Sequence, residues 1–389
     1  MKPINIRDGV QWLGVMDWNR RLFDSLIPLP DGTSYNSYLV RGSEKTALID
    51  TVDPTVIGKL LDALSGVEAI DYIVSHHTEQ DHSGSLPIVL EKYPQARLVC
   101  SKRAEAMLMD HLHIPPEKFQ VVADGEEISL GNKHLRFIYT PWVHWPETMV
   151  THLPEDKILF TCDFFGSHLA TSRLFAGEDP VVYEAAKSYY AEIMMPFRGT
   201  IPKNLEKISE LSFDLIAPSH GPLYDKPNFI LDAYKDWVSD RVANMVVIPY
   251  ISMHGSTEML VDHLVGALME RGVGVQKFDL AVTDLGKLAS SLVDAATIVI
   301  GTPIVLTGVH PSVFYAVYLA NLLKPKVRYA AIVSSYGWGG KIVEQITGMI
   351  PNLKVDVLGA HLCKGLPGGD DFSALDILAD VIKEKHSQL

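Results

Sequence analysis

The sequence predicts two α/β domains: a first in which helices enclose two sheets, and a second built on a doubly wound, five-stranded parallel sheet. Three observations predict this. Short β-branched and aromatic runs alternate with loops rich in His and Asp through the first part of the chain. Beyond it, five apolar runs alternate with amphipathic helical stretches, the pattern of parallel βαβ units. The length, 389 residues with 47% apolar side chains, is enough for two cores.

In the first domain, residues 1–243, the runs NSYLVRG, TALIDTV, DYIVS, ARLVCS, LRFIYTP, MVTHLP, KILFTCDFF and DLIAPSHG read as strands, and SLPIVLEKYP as a helix. In the second, residues 244–389, MVVIPYI, VQKFDL, ATIVIGTP, RYAAIVSS and VDVLGAH are the five strands. Between the first two lies STEMLVDHLVGALMERG, where Leu260, Leu264 and Leu268, with Val261, Val265 and Met269 beside them, predict one apolar helix stripe. The boundary falls in SDRVANM, residues 239–245.

A net charge of −13 argues against nucleic acid and anionic membranes, which call for a basic face. The three cysteines, Cys100, Cys162 and Cys363, form no CxxC pair, which argues against a rubredoxin-like or zinc-ribbon site and points to a reducing compartment. No signal-peptide pattern and no apolar run of membrane-spanning length is read, so a cytoplasmic protein is expected.

The densest chemistry is HHTEQDHSG, residues 76–84, between a strand and a helix. His77, Glu79 and Asp81 alternate and share a face if the segment is extended, and His82 can turn to the same centre as the helix begins. His76 is out of phase and should face the other way. His144, Asp163 and His220 each follow an apolar run, so each is expected at one edge of a sheet. Seven ligands are too many for one small ion and suit two, with a carboxylate such as Asp163 able to bridge. His168, five residues after Asp163, is a candidate to orient a ligand, against the plain alternative of a packing histidine.

The second domain offers a different constellation. Ser252, Met253, His254, Gly255, Ser256 and Thr257 form the turn from its first strand into a helix, an uncharged cradle of N–H and hydroxyl groups suited to the phosphate of a flavin mononucleotide. Pro303, Ile304, Val305 and Leu306 follow the third strand; Ser335, Tyr336, Gly337, Trp338 and Gly339 follow the fourth. Both loops sit at strand C-terminal ends, where ligands bind in such sheets. Tyr336 and Trp338 can cover an isoalloxazine ring, and the glycines let backbone amides approach it.

The order H-x-E-x-D-H, then His, Asp and His, resembles the metallo-β-lactamase superfamily, an αββα sandwich, and the second half resembles flavodoxin. Di-zinc hydrolases of that superfamily usually carry His where Glu79 stands; a hard carboxylate favours iron and argues against a di-zinc hydrolase. The combination of HTEQDHSG, HWPETM, APSHG and SYGWGG resembles the flavodiiron proteins, or A-type flavoproteins, over essentially the whole chain. That resemblance implies His77, Glu79 and His144 on one iron, Asp81, His82 and His220 on the other, and Asp163 bridging. It implies reduction of O2 to water with electrons delivered through FMN, or alternatively of NO to N2O. It also implies a head-to-tail homodimer or dimer of dimers. The donor would be a separate rubredoxin-type protein or reduced deazaflavin F420, since no fused donor domain is read. Many members carry a histidine where this chain reads Phe23, Asp24, Ser25, so part of the surroundings of the irons should differ here.

Overall fold

The computed structural model describes residues 2–389. The chain forms two compact units, Met1–Tyr190 with Phe197–Val238, and Ala191–Pro196 with Ser239–Leu389.

The first unit holds a seven-stranded and a five-stranded sheet. Period-2 alternation assigns the faces. Val40, Ile49, Val74 and Val99 of the larger sheet pack against Phe137, Phe160 and Ala217 of the smaller. Their neighbours Leu39, Leu48, Ile73 and Leu98 turn outward onto helical residues Leu60, Leu86, Val89 and Leu108. All eight runs expected as strands are strands. Also present are short ones such as Ile4–Arg7, Val10–Trp12, Phe119–Val122 and Glu127–Ser129, three or four residues long and too brief for alternation to mark. Strands Tyr72–Val74 and Arg97–Ser101 run parallel, as do Ile158–Cys162 and Leu215–Pro218, so the loops leaving each pair emerge at one edge.

The second unit has its five long strands parallel in the spatial order Gly274–Asp279, Ala243–Tyr250, Ala295–Val305, Tyr329–Tyr336, Asp356–Lys364. Helices cover both faces: Leu288, Val313 and Ile346 on one, Leu260, Leu264 and Leu378 on the other. The expected five-stranded sheet gains a sixth, Gly308–Val309, which folds back on the end of Ala295–Val305. The connecting residues Leu306 and Thr307 both take left-handed conformations, φ 49° and 66°, as a two-residue primed turn demands. No Asn-Gly or Asp-Gly marks that turn, so nothing in the sequence announced it. The stripe on helix Ser256–Glu270 is narrower than expected: Leu260, Val261, Leu264 and Leu268 are buried, but Met269 is 65% exposed, because 100° per residue carries it past the edge of the buried face.

Candidate metal centre and cofactor cleft

The loops bearing the candidate ligands converge within the first unit. His77 leaves strand Tyr72–Val74, and Glu79 is the extended N-cap, φ −62° and ψ 142°, of a short helix Gln80–Ser83. The expected alternation therefore holds only as far as Glu79. Asp81 reaches the centre from a helical turn, as does His82 beside it. Asp163 follows strand Ile158–Cys162, and His220 follows Leu215–Pro218. His144 comes from the connection between strands His134–Tyr139 and Met149–Leu153. Gly221 fixes the last corner: at φ 78° its amide donates to Ser34 Oγ, and a Cβ there would fall 1.9 Å from Ser167 Oγ.

The seven side chains sort into two groups that meet at one carboxylate. Asp163 Oδ2 lies 3.5 Å from His77 Nε2 and 3.2 Å from His144 Nε2, while Glu79 Oε2 lies 3.1 Å from each of those nitrogens. Asp163 Oδ1 lies 2.8 Å from His82 Nε2 and 3.3 Å from His220 Nε2, while Asp81 Oδ2 is 3.3 and 3.1 Å from the same pair. All are buried except His144, which is half-buried. Two ligands at ~2.1 Å from one ion and at right angles stand about 3 Å apart, so these spacings fit shared ions. Orphaned atoms agree: Asp81 Oδ1 and Oδ2, His82 Nε2 and Asp163 Oδ1 have no hydrogen-bond partner among the described residues. His82 Nε2 and Asp163 Oδ1 are 2.8 Å apart yet not hydrogen-bonded, the posture of two lone pairs aimed at a common cation.

The electrostatics make the same demand. Burial alone disfavours protonated histidine, yet Asp163 and Asp81 overcome it and raise His220 to about 10; the same pair raises His82, Glu147 with Glu79 raises His77, and Asp163 with Glu79 raises His144. Asp163 and Glu79 are pushed down by their histidines against burial. Three buried carboxylates need compensating positive charge, which divalent or trivalent ions would supply.

Outside the ligands, His76 turns away, as its phase required: Nδ1 meets Asp50 Oδ2 at 2.7 Å and Nε2 meets Thr151 Oγ1 at 2.6 Å. His168 pairs through Nδ1 with Thr33 Oγ1 at 2.9 Å, and its Nε2 has no partner among the described residues. Its ring lies 4.9 Å from those of His220, Tyr189 and Phe23. Burial, then His220, hold it neutral. Asp24 and Ser25 both take left-handed backbone conformations, and burial with Glu79 beside it raises Asp24 to about 6. Two partners were not singled out in the sequence. Glu147 Oε1 accepts from His77 Nδ1 at 2.7 Å, and the Ser34 carbonyl accepts from His220 Nδ1 at 2.7 Å. HWPETM held the first in plain view, but a carboxylate's partner is decided by folding; a backbone carbonyl leaves no mark at all.

In the second unit a cleft of about 370 Å³ opens at the strand C-terminal ends. It is lined by all the residues expected to hold flavin except Gly255, Thr257 and Gly339, and also by Gly365. Thr257 is buried and bonded to Ser335 Oγ at 2.8 Å, while Gly255, at φ 90°, is the N-cap of helix Ser256–Glu270. Ser252 Oγ accepts from the amides of Gly255 and Glu258. No Lys or Arg lines the cleft, so a phosphate there would rest on amides and hydroxyls. Trp338, 67% exposed, and Tyr336 are available to cover a planar ring.

Residues 33–221 match the family model described as ODP family beta lactamase. The chain is 33% identical to a nitric oxide reductase of Moorella thermoacetica over 95% of both chains. It superposes on rubredoxin oxygen:oxidoreductase from Desulfovibrio gigas with a TM-score of 0.96, at 29% identity, covering 100% of this chain and 99% of that one. It also superposes on the flavodiiron protein from Giardia intestinalis with a TM-score of 0.91, at 27% identity, covering 99% and 98%. Likeness of this extent, through a β-lactamase-like half and a flavodoxin-like half in the same order, makes the chain a member of the flavodiiron protein family, oxidoreductases whose cofactors are FMN and two iron ions.

Proposed function

We propose that this chain reduces O2 to water, drawing electrons through FMN in the cleft of residues 244–389 onto two irons held within residues 1–243. His77, Glu79 and His144 would hold one iron, Asp81, His82 and His220 the other, and Asp163 both. The observation that carries this is the division of Asp163, one oxygen toward each histidine group. When bound, the irons would supply the site for the diatomic and FMN an electron store. Around them, Glu79 adds a hard oxygen donor that favours iron over zinc. His168, neutral and with Nε2 unpartnered, is suited to receive or offer a hydrogen bond there. Phe23 lies against His168, its ring 4.9 Å away.

Reduction of NO to N2O on the same residues is the second reading, favoured by the likeness to a nitric oxide reductase. The electron donor we infer is a separate rubredoxin-type protein or reduced F420. The assembly we infer is a head-to-tail homodimer or dimer of dimers. Among the described residues no helix is long and apolar enough to cross a membrane. Three free, buried cysteines support a reducing, cytoplasmic setting.

The test is to reduce the purified, iron- and FMN-loaded protein without oxygen and mix it with O2 and with NO separately. Sustained flavin reoxidation by O2, with slow or self-limiting reaction with NO, is expected. The reverse would assign the chain to NO, and inertness to both would overturn the redox reading.

A further inference from the structure

Glu147 lies in the connection that leads into strand Met149–Leu153, its side chain fully buried. One oxygen takes every hydrogen bond. Oε1 accepts from His77 Nδ1 at 2.7 Å, from the Thr78 amide at 3.0 Å and from Thr78 Oγ1 at 2.8 Å, while Oε2 has no partner among the described residues. The backbone is held as well, since Ser101 Oγ donates to the Glu147 carbonyl at 2.9 Å. Three donors on one oxygen pin the carboxylate, and the carboxylate in turn fixes the His77 ring so that Nε2 faces Glu79 and Asp163.

We propose that Glu147 is a positioning residue whose negative charge strengthens His77 as a metal ligand and lowers the reduction potential of the metal bound there. This rests on the reading of His77 as an iron ligand. The physical reason is that a carboxylate accepting the Nδ1 proton makes the imidazole a stronger donor at Nε2, and a buried charge is screened less than one in water. The other histidine group lacks such support. His220 Nδ1 donates to a neutral acceptor, the Ser34 carbonyl, and His82 Nδ1 has no partner among the described residues. The two metal positions are therefore unequal, with the one at His77 the more electron-rich and the more tightly held.

The experiment loads the full-length protein with Fe(II) under anaerobic conditions, counts the iron, measures its affinity by competition with a chelator, and follows a redox titration by EPR. Wild type is compared with Glu147→Gln, which keeps an acceptor oxygen but removes the charge, and with Thr78→Val, which removes one donor and leaves the carboxylate more basic. Glu147→Gln is expected to retain FMN and fold. At one of the two positions it should bind iron about tenfold more weakly. Removing the charge should weaken Fe(III) binding there tenfold more than Fe(II) binding, which raises the potential by about 59 mV for one electron. Thr78→Val should shift the potential the opposite way. Glu147→Gln with wild-type affinity and potential overturns the inference. If that variant does not fold, Thr78→Val decides: a lowered potential supports the inference, an unchanged or raised one overturns it. Wild type that takes up no Fe(II) overturns the metal-site reading and this inference together.

Discussion

Asp163 is the one residue whose two oxygens face different histidine groups, so it bears most directly on whether two ions can be held at once. In Asp163→Asn an amide N–H₂ would replace one of those oxygens and point donors at imidazole nitrogens or at a cation. We expect iron content to fall from two per chain to one or fewer, affinity to drop at least tenfold, and FMN content to stay unchanged, measured by metal analysis and flavin absorbance. Retention of two irons would show that Asp163 does not bridge. At this scale the candidate ligands were legible, because ligand chemistry restricts residue type to His, Asp and Glu; four crowd one loop, and His144, Asp163 and His220 each follow an apolar run. Their supports were not. Glu147 and Ser34 act through one hydrogen bond each, and any polar residue or carbonyl at the right place in space would serve.

Helix Ser256–Glu270 gives a contrast within one element. Leu264 is fully buried and Met269 mostly exposed, though the sequence placed both on one stripe. Leu264→Ala should cost about 2–5 kcal/mol, whereas Met269→Lys should lie within about 0.5 kcal/mol of wild type, both read from urea unfolding of the second unit. Helix Gly369–His386 carries a pH-sensitive contact at its last residue. His386 Nε2 meets Thr297 Oγ1 at 2.7 Å and Nδ1 meets Asn244 Oδ1 at 2.8 Å, an arrangement that suits the neutral ring. Burial, then Lys383, lower His386 from 6.5 to about 4. Between those values the unfolded chain binds a proton that the folded one refuses, so stability is full above about 6.5 and lost as pH falls toward 4. At 1.36 kcal/mol per unit the ceiling is ~3 kcal/mol, and partial access of solvent reduces it to about 1–2 kcal/mol. Calorimetric melting at pH 7 and pH 5 should show the drop, and His386→Asn should flatten it; equal slopes in the two proteins would refute the assignment.

For the whole molecule, the dimer we infer has a direct consequence. Sedimentation at micromolar concentration should give two or four times the 43.1 kDa chain mass, and a species of single-chain mass would refute it. Exposed apolar residues at and beside the flavin cleft, Met253 at 52%, Leu306 at 87% and Trp338 at 67%, are consistent with a surface covered in the assembly. The fold class was legible at this scale because two periodicities coexist in one chain. Period-2 runs with ligand loops occupy the first part, and buried parallel strands alternating with helices occupy the second.

What the sequence determined by itself was the list of chemically committed residues and the order of the strands that carry them. Ligand type and strand propensity are local properties, readable without knowing what lies opposite. What only the tertiary structure decided was pairing: which oxygen of Asp163 meets which histidine, that Asp81 arrives from a helix, that Leu306 and Thr307 turn a sixth strand back, and that Glu147 stands behind His77. Those depend on contacts between segments far apart in the chain, where closure of the sheets rather than any local preference sets which atoms meet.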